Sequence, residues 1–77
     1  MTEQKSSLPL SLLGSGGRGT VYALRGRGDI QHFLENLGFV PGTDVSVINE
    51  IGGNVIVNIK DTRVAVSRSM ANKIIVQ

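Results

Sequence analysis

Residues 33–47, FLENLGFVPGTDVSV, constrain the fold more tightly than any other stretch of this 77-residue chain. Wound as a helix, Ile30, Phe33, Leu34 and Leu37 fall within roughly a 100° arc, and Gln31, His32, Glu35 and Asn36 turn towards water. Gly38 follows the last apolar residue, where helices stop with one residue in the left-handed conformation that glycine adopts without strain. Phe39 is then placed to fold back over Leu34 as the apolar contact of a Schellman-type cap. Val40-Pro41-Gly42-Thr43 reads as a tight turn, with Pro41 fixing the first central φ and Gly42 allowing a positive φ at the second. Gly38, Pro41 and Gly42 are therefore assigned to structure. Val45 and Val47 next alternate with Asp44 and Ser46, which is strand periodicity. A short helix is stopped, turned and delivered into a strand. The simplest fold around it is a small barrel with the helix over one end.

The rest of the chain supplies the other strands. Residues 1–7 are polar and without period, and a disordered tail is expected there, with the domain running over 8–77. Leu8, Leu10, Leu12 and Leu13 surround Pro9 in a short turn-like lead-in to the core. GSGGRG, residues 14–19, reads as a flexible loop before a first strand over 18–24, with Val21 and Ala23 on one face and Tyr22 and Leu24 on the other. Arg25-Gly26-Arg27-Gly28 is a second glycine-broken loop, and Asp29 is the expected N-cap of the helix. Residues 44–51 and 54–60 form two runs joined at Gly52-Gly53, a dipeptide suited to a two-residue hairpin turn. Residues 60–63 are the expected next turn, before Val64-Ala65-Val66. Met70 and Ala71 lie in a helical turn facing inward, and Ile74 and Val76 close the chain as a last strand. The expected fold is mainly β, a five-stranded barrel with one short helix between the first and second strands.

Size and composition exclude several functions. A single small core stabilises such a chain by only about 3–5 kcal/mol. With no cysteine there is no disulfide, thiolate zinc site or redox pair, which fits a reducing compartment. No apolar run approaches the ~20 residues that cross a bilayer, and MTEQKSS lacks a signal peptide's apolar segment. A cytosolic location without membrane insertion is expected. A net charge of +2, from eight basic and six acidic residues, is too mild to imply nucleic acid by itself.

The candidate chemical motifs mostly resolve into ordinary structure. Gly14-Ser15-Gly16-Gly17-Arg18-Gly19 has the letters of a dinucleotide fingerprint, but a strand follows it where a helix is needed to hold the pyrophosphate. His32 lies between Asp29 and Glu35, yet those carboxylates point about 120° apart on a helix, so no metal site is expected. No nucleophile is brought to the lone histidine by spacing, so neither catalysis nor a cofactor is expected. Arg18, Arg25 and Arg27, and more loosely Arg63, Arg68 and Lys73, can touch phosphates, but Tyr22, Phe33 and Phe39 are the only aromatics and both phenylalanines suit the core.

Leu37-Gly38-Phe39 followed by Pro41-Gly42-Thr43 resembles the L-G-hydrophobic-x-P-G-T/S signature of FeoA-type domains. Gly19-Thr20-Val21, the Gly52-Gly53 hairpin, Thr62-Arg63-Val64-Ala65-Val66 and Ser69 to Val76 are similar in order and spacing, so the resemblance spans about Leu10 to Val76. It implies an SH3-like β-barrel and a small accessory protein of bacterial ferrous iron uptake, contacting the membrane GTPase FeoB. The same module ends iron-dependent DtxR-type repressors, but no DNA-binding helical region accompanies it here. The family carries no established catalytic or iron-ligating residues to transfer.

A barrel this small meets partners with its surface. The residues that alternation leaves outside are Tyr22, Leu24, Ile56 and Ile75, with Arg25 and Arg27 in the adjoining loop, and these are the candidate partner-binding residues. Cover by the helix or by the N-terminal leucines is the competing account of the apolar ones. A nucleic-acid-binding barrel using the Arg-Gly loops is the second functional class, and self-association through an exposed barrel edge is the third.

Overall fold

The computed structural model describes residues 7–77. The tail expected over residues 1–7 lies outside the described residues, apart from Ser7. The elements run β1 (Leu8–Pro9), a 3₁₀ turn (Leu10–Leu12), β2 (Arg18–Leu24), α1 (Gly28–Leu37), β3 (Asp44–Ile51), β4 (Asn54–Ile59), β5 (Thr62–Ser67), α2 (Arg68–Ala71) and β6 (Ile74–Val76). They build one antiparallel sheet of order β1-β6-β2-β3-β4-β5. The described residues thus form six strands, not five. The extra one is the leucine-rich lead-in, where Leu8 and Pro9 pair with Val76 and Ile75.

The C-terminus of α1 forms as its sequence dictates. Gly38 stands at φ +111°, its N–H donates to the Glu35 carbonyl at 2.9 Å, and the Phe39 N–H donates to the Leu34 carbonyl at 3.0 Å. That pair of bonds is the Schellman motif, and Leu34 and Phe39 are both fully buried in one cluster. The Pro41-Gly42 turn closes with the Thr43 N–H on the Val40 carbonyl at 3.1 Å, Gly42 at φ +94°. The turn docks on β2, because the Gly42 N–H donates to the Val21 carbonyl and the Val21 N–H to the Thr43 carbonyl, each at 2.8 Å.

The start of α1 differs from expectation. The helix begins at Gly28, capped from Arg27 in an extended conformation with no side-chain bond, and Asp29 sits inside the first turn. There its carboxylate still complements the helix dipole. Ile30 and Leu37 pack against the core, but Phe33 is 48% exposed. Phe33 lies about 60° from Ile30 around the helix, on the flank of the stripe, and Leu34 takes the central place.

Val21, Val45, Val47, Val55, Val57, Ile59 and Val66 line the inner face of the sheet and meet Leu10, Leu34, Phe39, Ala71, Ile74 and Val76 in one core. Ser11, buried beside Leu10, donates its hydroxyl to the Asn72 side chain and so fastens the 3₁₀ turn to the end of α2. Met70 packs against the core as expected, and Ser67 caps α2 by accepting from the Met70 N–H. Both β3–β4 and β4–β5 turn through two residues. Gly52-Gly53 supplies one turn, and Lys60-Asp61, at φ +51° and +62°, supplies the other in the left-handed region that non-glycine residues seldom occupy. The strand therefore resumes at Thr62, earlier than residues 60–63 as a turn allow.

Two β-bulges interrupt the alternation. On β2 the register with β6 shifts between Val21 and Ala23, and on β3 the register with β4 shifts between Val47 and Asn49. Tyr22 and Ile48 are the extra residues. The Gly16-Gly17 loop is likewise more ordered than a free linker. The Gly16 N–H donates to the Val47 carbonyl, and the Val47 N–H donates to the Gly17 carbonyl, both at 2.8 Å.

Candidate functional site

The structure separates the residues that alternation placed outside. Tyr22, at the crest of its bulge, is 57% exposed. The same bulge reverses the alternation behind it, so Leu24 turns inward and packs against the core. Ile75 is a correction: it is only 7% exposed. β6 lies between β1 and β2, and Pro9 and Ala23 stand directly opposite Ile75 on either side, so both neighbours cover it. Leu24 and Ile75 leave the candidate surface.

Ile56 keeps its outward place, half-buried on β4 between Asn49 and Ala65. It does not share a patch with Tyr22. Arg18, Ser46 and Asn58 form a row across β2, β3 and β4. Tyr22 lies beyond that row in one strand direction and Ile56 in the other, so the two are roughly 20 Å apart along the strands.

Two surfaces result. The first is a corner made by Tyr22 and the loop that carries Arg25 and Arg27. The Arg25 N–H donates to the Lys73 carbonyl at 2.6 Å, and Gly26 is wedged against Ile30 and the Lys73 side chain, a φ of +146° making glycine necessary there. This holds the Arg25 backbone against Lys73, with Arg27 two residues on, and Arg25 stands about 10 Å along the chain from Tyr22. Beside Tyr22 a hollow of about 400 Å³ is lined by Thr20, Val21, Pro41, Gly42 and Gln77. An aromatic ring, a shallow hollow and two exposed arginines are the composition from which contact hot spots are built.

The second surface is the outer face of β3, β4 and β5. The bulge at Ile48 sets Ile48 and Asn49 both opposite Ile56, and Ile51 is 59% exposed one step along. With Ala65 on the other side of Ile56, the outer face is apolar up to the β5 edge. Sequence alternation identified only Ile56 here; Ile51 joins the outer face only because the bulge reverses the alternation after Ile48.

Among the described residues the remaining polar side chains are dispersed over the surface. His32 is exposed on α1, and no group of three His, Cys, Asp or Glu residues is arranged to hold a metal among the described residues. A second hollow of about 500 Å³ on the outer face mixes Arg18 and Lys60 with Asp44 and Asp61, and the Thr20 hydroxyl donates to Asp44 at 3.1 Å. The Arg68–Glu50 ion pair is exposed and ties α2 to β3. No helix among the described residues is long and apolar enough to cross a membrane.

The fold and the sequence both have known counterparts. An iron uptake regulatory protein, FeoA, shares 26% identity and superposes with a TM-score of 0.88 over 95% of this chain and 97% of its own. The FeoA of Stenotrophomonas maltophilia shares 28% identity, TM-score 0.80, over 91% of this chain and 89% of that one. That protein was solved with zinc and is described as a prokaryotic SH3 domain protein and a candidate activating factor of ferrous iron transport. IdeR of T. acidophilum superposes with a TM-score of 0.83 at 20% identity, over all of this chain but 36% of its own, and shares the fold alone. No curated protein sequence matches. The SH3-like fold is therefore that of the FeoA structures, the FeoA domain family matches residues 8–77, and the chain belongs to that family.

Proposed function

We propose that this chain is a small cytosolic accessory protein of ferrous iron uptake that regulates a FeoB-type membrane GTPase through protein contact, without catalysis of its own. The observation that carries this reading is the FeoA domain match over residues 8–77, joined to the corner where a bulge lifts Tyr22 beside Arg25 and Arg27. That corner unites apolar area with charge that can meet acidic groups, and a bulge exists to re-aim one side chain out of the sheet. Leu24 and Ile75 support the corner from inside.

Titration of the ¹⁵N-labelled protein with the cytosolic GTPase domain of its FeoB, with and without guanine nucleotide, tests the reading. Expected are amide shifts confined to residues 20–27, 41–43 and 73, retained at moderate salt. Shifts elsewhere, or none, refute contact through this corner. Lys73 is bonded through its carbonyl to the Arg25 N–H in the Arg-Gly loop, which favours a second reading, nucleic-acid contact through the same loop. RNA binding that collapses between low and moderate salt identifies that case, because phosphate contact releases counterions.

A further inference from the structure

We infer that the β5 edge joins two copies of this chain into a closed two-fold dimer. An open sheet of order β1-β6-β2-β3-β4-β5 has two edges, and they are unlike. β1 is two residues long and one of them is Pro9, which has no N–H to offer. β5 is six residues long, pairs with β4 in unbroken register, and contains neither proline nor a bulge.

The direction of its main-chain groups follows from one bond. The Arg68 N–H donates to the Gly53 carbonyl at 3.0 Å, so 53 and 68 are a hydrogen-bonded pair. In an antiparallel ladder bonded and unbonded pairs alternate. Val55 with Val66, Val57 with Val64 and Ile59 with Thr62 are then the bonded pairs. Arg63 and Ala65 turn their N–H and C=O groups away from β4, and no other main-chain bond among the described residues reaches them.

Those groups are self-complementary. A two-fold axis beside Val64 sets Arg63 of each copy opposite Ala65 of the other, and all eight outward groups close as four hydrogen bonds. Val64 faces Val64, and small Ala65 leaves room for the Arg63 stem. The apolar outer face runs through Ile56 and Ala65 to this edge, where each Ala65 meets the Arg63 stem of the other copy. The Pro9 edge cannot take part, so association stops at two.

Arg63 is the one charge on the strand. The axis puts the two guanidinium-bearing positions diagonal to each other, about 7–8 Å apart, where like charges repel and salt screens them. Arg63 therefore limits the dimer, as a charged edge residue does.

Sedimentation equilibrium over a range of protein concentrations tests this, with hydrogen exchange of the Arg63 and Ala65 amides followed on the same samples. Expected are a monomer–dimer equilibrium strengthened by added salt and by Arg63→Thr, and amide protection at 63 and 65 that rises with concentration. Ala65→Pro removes an N–H that β4 does not use, so it should abolish the dimer and leave the monomer folded. If Ala65→Pro fails to fold, the exchange measurement on the parent decides. A monomer at every concentration overturns the inference, as does a dimer that leaves both amides exchanging freely or that survives in folded Ala65→Pro.

Discussion

Replacing Gly38 with alanine isolates one backbone conformation. Gly38 stands at φ +111° and ψ 0°, and the nearest atoms to a β-carbon built there are Ile59 side-chain carbons, at 3.7–3.9 Å. That is ordinary van der Waals contact, so no steric overlap enters and the cost is conformational. An L-residue in left-handed backbone costs roughly 1–2 kcal/mol. Alanine also reduces the freedom of the unfolded chain, which offsets about 0.4–1 kcal/mol. The net loss is then about 1 kcal/mol, a quarter or so of the ~3–5 kcal/mol expected of so small a core.

For a domain of this length that loss lowers the melting temperature by about 4–8 °C. Thermal unfolding by circular dichroism and urea unfolding should agree, with an unchanged m-value showing that the unfolded state is not the cause. Asparagine tolerates left-handed backbone, so Gly38→Asn should lose less than Gly38→Ala. The sign carries the test. If the helix stopped in an ordinary conformation with negative φ, alanine would stabilise the protein by about 0.4–1 kcal/mol. A raised melting temperature in Gly38→Ala therefore refutes the Schellman geometry.

Two other substitutions bear on the fold and the corner. Asp61 holds φ +62° in the second place of a two-residue hairpin turn, where glycine is preferred, so Asp61→Gly should raise the urea midpoint by the equivalent of up to about 1 kcal/mol, and a lower midpoint would contradict that turn. Ile75→Ala should cost about 2–5 kcal/mol because the side chain is enclosed, whereas Tyr22→Ser should stay within about 0.5 kcal/mol while weakening partner binding. Equal stability of those two variants would show that β6 does not bury Ile75.

What the sequence revealed tracks the range of the interactions involved. The end of α1 and both glycine turns were legible because Gly38, Pro41-Gly42 and Gly52-Gly53 act within a few residues of where they stand. The bulges were not. An extra residue exists only relative to a partner strand, and neither Tyr22 nor Ile48 differs locally from its neighbours. Leu24 was consequently read on the wrong face, since the alternation that placed it outside reverses at Tyr22. Ile75 failed for a related reason: its cover comes from Pro9 and Ala23, which are distant in sequence and become neighbours only when β6 slips between β1 and β2. For Phe33 the helical periodicity holds, but the core-facing line of α1 runs through Leu34 and leaves Phe33 on its flank.

The bulges also explain how so small a sheet presents two unlike surfaces. Without the shift at Tyr22, strict alternation would turn Leu24 to water and give the inner face only the small Ala23; with it, the core gains Leu24 and the corner keeps the tyrosine ring. Without the shift at Ile48, strict alternation would put Asn49 on the core face; with it, Asn49 turns out beside Ile56, and Glu50 is left to reach Arg68 of α2. Each bulge thus removes a conflict between composition and alternation, and each leaves an exposed apolar side chain where the conflict was removed. The two sites lie roughly 20 Å apart along the strands, on opposite sides of the polar row Arg18–Ser46–Asn58. Contact at one therefore does not obstruct contact at the other. A dimer joined at β5 keeps both Tyr22 corners open, and a partner bound at the corners leaves the β5 edges free to pair.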